Sequence, residues 1–274
     1  MAQLKQAAVA ALAVVVVMAV LGSSDAPAAT TLELGYEVEE FDYQEFDQQL
    51  VTIMEESGAM YGPRARLRHT LSDKWTAGLD ARALTGQLHY DGQTWAGEPR
   101  QSGTSDFLAE TRALIGPTLA RSESIELVLY TGLGYRFWHD EIHGGGGYGR
   151  EIVYYYFPTV IDLSGPVTPT SRIGFTFEID GLIRGIATSH LSELGNGFAE
   201  DARNIQPSGL AIRTSAYYTA KVGAKTTLSV EPYLIIWHVA QSNPDSVKIG
   251  GTPTLVVEPE NQTLEGGLAV SLKW

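Results

Sequence analysis

Residues 266–274, GGLAVSLKW, alternate without a fault: Gly266, Leu268, Val270, Leu272 and Trp274 share one face of an extended strand, and Gly267, Ala269, Ser271 and Lys273 share the other. An outward apolar face ending on an indole ring makes little sense in water. It suits the closing strand of a barrel in a bilayer, with the ring at the interface. Whether the rest of the chain agrees is a question of period.

The chain opens on one early cation, Lys5, an apolar run over residues 7–21, and the small-residue site Ala26-Pro27-Ala28. That layout predicts a secretory signal peptide over residues 1–28, cleaved after Ala28, since the run is short for a membrane helix. The remaining 246 residues, 29–274, read as one domain with no further helical span. With no cysteine, neither disulfides, thiolate metal sites nor a lipoprotein anchor is expected.

Period-2 segments recur ten times, over residues 31–43, 59–71, 75–90, 105–119, 124–139, 151–163, 171–186, 207–220, 226–240 and 261–274. Each is longer than the usual soluble strand of about 5–6 residues. The connections after the second, fourth, sixth and eighth are brief, and the others are long and polar. Short turns at one end, long loops at the other and an even strand number predict an all-β, antiparallel, up-and-down transmembrane barrel of ten strands. Eight strands are the alternative if 31–43, rich in acids, or 151–163, which carries Pro158, is loop.

Assigning the polar face of every strand to the interior gathers Arg64, Arg66, Arg68, Arg82, Arg112, Arg136, Arg172, Arg184, Arg213 and Lys273 with Glu33, Glu37, Glu39, Asp80, Glu110, Glu126, Asp162, Glu178, Asp180, Glu231 and Glu265. Ten cations against eleven anions, with arginine chosen nine times, predict an ion-paired and largely plugged lumen, because the guanidinium fork pairs carboxylates two at a time and stays charged when desolvated. An open pore would instead carry a surplus of one sign. Glycines 132, 134, 174 and 267 on the inner face leave space that a narrow channel could use.

Outward aromatics fall at two levels, Trp75, Tyr218 and Trp274 near the short turns and Tyr61, Phe107, Phe137 and Tyr155 near the long loops, as interfacial girdles would. The net charge of −13 concentrates in the long loops and adjoining strand ends, which hold Arg100, Arg150, Arg203 and Lys248 against 18 acids. Such a face gathers cations, binds a basic partner or bridges to anionic lipid headgroups through divalent ions, and it disfavours nucleic acid, whose phosphates need a basic footprint.

Five histidines lie near strand ends on the long-loop side, and His89, Asp91, His139, Asp140 and His143 put imidazoles beside carboxylates at that rim. They are the candidates for a hydrolytic site. None has a metal-ligand spacing such as HExxH, and neither a metal nor a cofactor is expected. His69 phases outward near the short turns, and the glycine run 144–147 reads as a flexible surface loop.

With these features in place the chain resembles the small Gram-negative outer-membrane β-barrel proteins, a poorly characterised group within the porin and OmpA-like class. The segments YEVEEFDYQE, MYGPRARLRHTLSDKWTAGLDARALTGQLHYDG and GLGYRFWHD carry the likeness. The resemblance implies an outer-membrane location with both termini periplasmic, contact with membrane lipid and lipopolysaccharide, and recognition of the last strand, ending at Trp274, by the barrel-assembly machinery. It implies envelope integrity or surface interaction first, a porin-like channel second and an omptin-like surface hydrolase third. The omptin signatures are not recognisable, and no catalytic residue is carried over.

Overall fold

Ten long amphipathic segments can hide their backbone polar groups from lipid only by pairing first to last. That is what the computed structural model, which describes residues 30–94, 97–195 and 197–274, contains. The predicted signal peptide lies outside the described residues. The strands are β1 (Thr30–Phe46), β2 (Thr52–Ser72), β3 (Trp75–Gln93), β4 (Pro99–Arg121), β5 (Glu126–Ile142), β6 (Gly149–Thr168), β7 (Ser171–Ser189), β8 (Ala202–Gln206), β9 (Gly209–Lys221), β10 (Thr227–Val239), β11 (Asp245–Ile249), β12 (Thr252–Val256) and β13 (Glu260–Lys273). Each barrel strand pairs antiparallel with its neighbours, β6 with β7 and β1 with β13, so the sheet closes. The short β8 continues the line of β9 along the upper part of β7, which makes ten barrel strands and not eight. At the seam Leu32 and Trp274 exchange both backbone hydrogen bonds, at 3.1 and 2.9 Å.

The outer surface carries the membrane signature. On β1, Leu34, Tyr36 and Val38 face out and are exposed, and Leu264, Leu268, Val270 and Leu272 do the same on β13. Higher on β1 the outward positions turn polar, with Glu40, Asp42 and Gln44. An apolar belt of this extent is intolerable in water and ordinary in lipid. No helix among the described residues is long and apolar enough to cross a membrane. Replacing Leu268, in the middle of the belt on β13, by arginine is expected to cost about 2–4 kcal/mol of stability in urea titrations of vesicle-inserted protein. A cost near zero would mean that this face does not meet lipid.

The strands run on past the belt. The connections after β1, β3 and β5 shrink to residues 47–51, 94–98 and 143–148, shorter than the long loops read from sequence. Inside the extensions Phe41, Tyr43, Met54, Leu88 and Trp138 pack in one buried cluster above the belt. Only two loops stay long. Residues 190–201 hold a one-turn 3-10 helix, Leu191–Leu194, and residues 240–259 fold into the β11–β12 hairpin, which packs through Val247 and Val256 on Leu191 and Ala202.

Candidate functional site

Three layers fill the barrel from the short-turn end upward. The lowest is ionic. Arg64 and Arg66 reach Glu231 at 2.9 and 3.3 Å, while Arg68 and Arg112 both hold Asp80. Arg82 meets four carboxylates, Glu110 at 2.7 Å, Glu39 at 2.9 Å, Glu37 at 3.5 Å and Glu265. Arg136 forms an ion pair with Glu265 at 2.7 Å, Arg213 holds Glu110 and Asp180, and Arg112 holds Glu178. Tyr156 donates its hydroxyl to Glu110 at 2.6 Å. The space left among these side chains is about 100 Å³, room for a few waters. Glu126 and Arg172 pair at 3.6 Å where the barrel opens toward the short turns.

Arg184 does not join them. It is exposed on the outer surface, opposite Tyr155. Across the β6–β7 pairing Tyr155 faces Arg184 and Tyr156 faces Leu182, so Ile183 is an extra residue in β7. This bulge inverts the alternation above it and turns Gly185 and Ala187 inward instead. Of the girdle residues, Trp75, Tyr218 and Trp274 are exposed on the outer face at the short-turn end. Tyr61 lies in one cross-strand row with Thr85, Phe107 and His139. Phe107 packs on Phe137 at 6.4 Å, and Tyr155 is exposed beside Tyr135.

The second layer is aromatic and apolar. Trp237, fully buried, lies between Tyr154 and Tyr156 with ring centroids at 5.3 and 5.2 Å, and Phe41, Met60, Leu84 and Leu108 belong to the same buried cluster. The third is acidic, and its cation lies one residue before the segment that the sequence pattern delimits. Arg150 points inward in phase with Ile152 and Tyr154, holding Glu45 at 2.7 Å, Glu56 at 3.1 Å and Asp140 Oδ2 from its Nε at 2.8 Å. Asp106 is nearby, bonded by Thr104 at 2.6 Å and by the Trp138 indole at 2.7 Å, and Glu258 approaches from the loop after β12. Five buried carboxylates thus surround one guanidinium.

Above this floor is a chamber of about 340 Å³. Glu45, Arg150 and Glu258 form its base, and Tyr90, Tyr148, Met54, Leu191 and Val256 contribute to its walls. The hairpin is fastened as a roof. Val247 and Val256 pack on Leu191 and Ala202, and Asn204 Nδ2 donates to the carbonyls of Asn243 and Val256 at 3.1 and 3.0 Å. Burial and the neighbouring charge of Glu45 push the Glu258 carboxyl up to about 8.

The rim candidates are divided by the barrel wall. His89, Asp91 and His143 are exposed on the outer side, with His139 half-buried among them, whereas Asp140 is inside with Arg150. His143 Nε2 is 2.8 Å from Ser105 Oγ, a contact 38 residues apart in the chain and invisible to local spacing. His139 Nδ1 lies 3.0 Å from the carbonyl of Arg150, and His69 finds Thr30 Oγ1 at 2.8 Å. No group of three or more Asp, Glu and His among the described residues is arranged to hold a metal ion.

No protein-family model and no curated protein sequence matches the chain. Solved structures do. The outer membrane protease OmpT from Escherichia coli superposes with a TM-score of 0.59 at 11% identity, covering 90% of this chain and 96% of that one. The toluene transporter TodX from Pseudomonas putida gives 0.38 at 12% identity, with 90% of each chain covered. OprG from Pseudomonas aeruginosa gives 0.40 at 7% identity, covering 88% and 94%. At 11% identity the likeness to OmpT is one of fold alone, that of a closed antiparallel β-barrel, and the two looser superpositions carry no argument.

Proposed function

We propose that this barrel resides in a Gram-negative outer membrane, short turns and termini toward the periplasm, and acts as a closed, non-conducting body whose working surface is external. The observation that carries this is the lumen: an ionic layer bridged by Arg82, Arg112 and Arg213, and above it an aromatic layer around Trp237, whose indole is fully buried. Either layer alone obstructs a hydrated path, and ions would have to break buried pairs to pass. Lipid and lipopolysaccharide surround the apolar belt, and β13 with its following Trp274 is the segment offered to the assembly machinery. Surface interaction is the role that such a body serves.

A channel is the competing reading, and planar-bilayer recording of refolded protein decides between them. No stepwise conductance above the bare bilayer is expected; steady ion-selective steps would make this a small porin. Hydrolysis at the rim has less support, because Asp140 faces Arg150 and is unavailable to His139 or His143.

A further inference from the structure

Charge does not balance in the upper barrel. In the lower lumen nearly every carboxylate finds a guanidinium, but around Arg150 there are Glu45, Glu56, Asp106, Asp140 and Glu258. Asp106 is compensated by two hydrogen-bond donors, and Glu45, Glu56 and Asp140 share the one cation. Among the described residues Glu258 has no ion pair within 4 Å. Its side chain lines the chamber although the residue is 5% exposed, and the one side-chain donor it has is the Tyr43 hydroxyl at 3.3 Å. That hydroxyl is also 3.1 Å from Glu45, and its single proton serves one of the two carboxylates. Buried carboxylates left in this state call for a compensating charge.

The chamber above supplies the room and defines the shape of what would bring that charge. A metal ion is disfavoured, since among the described residues no three acidic or imidazole groups converge at ligating geometry. The walls are mixed: Gln93, Thr94, Ser189 and Asn204 line part of them, and the Tyr90 and Tyr148 rings, Met54, Leu191 and Val256 form an apolar side that suits a hydrocarbon body. We infer that the chamber is a binding site for a small organic ammonium ion, its charged head against Glu258 and its apolar body between Tyr90, Tyr148 and Leu191. The inference rests on the closed-barrel reading, because a conducting lumen would bathe the floor in electrolyte.

Binding takes the ionised carboxyl. Since Glu258 titrates near 8, beside Glu45 and Tyr43 on β1, Asp140 on β5, and Arg150 and Tyr154 on β6, it is largely protonated at pH 6. Affinity therefore rises with pH through about 8 and then levels, and binding at pH 7 releases protons.

The test is calorimetric titration of the full barrel in nanodiscs with 2-phenylethylamine, against 2-phenylethanol as a neutral probe of the same shape and 3-phenylpropionate as an anionic one. The amine is expected to bind at least tenfold more tightly than the alcohol, the carboxylate not at all. Glu258→Gln is expected to abolish that preference, while Leu191→Trp, which fills the chamber without touching the charge, removes binding of both amine and alcohol. Equal affinity for amine and alcohol, or an amine preference that survives Glu258→Gln in a correctly folded variant, overturns the inference. The same preparation recorded in planar bilayers separates the two ideas: silence with no amine binding defeats the chamber alone, whereas conductance defeats the closed barrel first.

Discussion

Arg82→Ala is expected to lower the stability of the inserted barrel by about 3–5 kcal/mol, the range for removing one partner from a buried ion pair. The reason is the company it keeps. Arg82 Nε, Nη1 and Nη2 meet Glu110, Glu39, Glu37 and Glu265, and Glu39 and Glu265 are buried to within 2%. Arg136 would still serve Glu265 and Arg213 would still serve Glu110, but Glu39 would keep only the Tyr233 hydroxyl, at 2.8 Å. Urea titration in lipid vesicles reads the loss. Adding Glu39→Gln to the variant should return part of it by removing the stranded charge. A loss under about 1 kcal/mol would place this network with exposed ion pairs, which contribute little.

Trp237→Ala tests the layer above by different physics. Deleting a fully buried indole between Tyr154 and Tyr156 removes its contacts and leaves a cavity that the rigid barrel wall cannot collapse, an expected cost of about 3–5 kcal/mol. Opposing this, the Trp237 indole N–H is buried without an acceptor, a burden of about 1–3 kcal/mol. Packing is the larger of the two. Trp237→Phe keeps a ring and removes the stranded donor, so it should recover most of the loss. Both variants should stay silent in planar bilayers, because the ionic layer below is untouched; conductance in Trp237→Ala would assign closure to the aromatic layer alone.

How far the sequence could be read follows from which residues obey period 2. Every barrel strand was legible because lipid on one side and a polar lumen on the other enforce strict alternation, and the apolar faces of β1, β7, β10 and β13 fall where the pattern puts them. Arg184 was misplaced because a single unpaired residue, Ile183, inverts the phase, and nothing local marks the inversion. Arg150, one residue before the segment over 151–163, counts with the loops and strand ends in the sequence, although it is in phase with Ile152, Tyr154 and Tyr156. The aromatic layer was hidden for a subtler reason. A lumen is expected to be polar, so the inward phase of Tyr154 and Tyr156 suggested no core. The β11–β12 roof left no trace in the pattern, being two strands of five residues joined by Gly250 and Gly251 in left-handed backbone. Contacts such as Ser105 with His143 need the barrel itself to bring them together.

The arginines of the interior have a mechanical side. Around the ring, Arg150 on β6 reaches Glu45 on β1, five strands away, and Arg213 on β9 reaches Glu110 on β4, four strands away. These links run across the diameter, while backbone pairing runs along the circumference. A hoop held by its rim alone flattens easily into an oval; one with spokes at several heights does not. Lateral pressure from the bilayer therefore meets a wheel, and the wall holds its round section without relying on the stiffness of its strands.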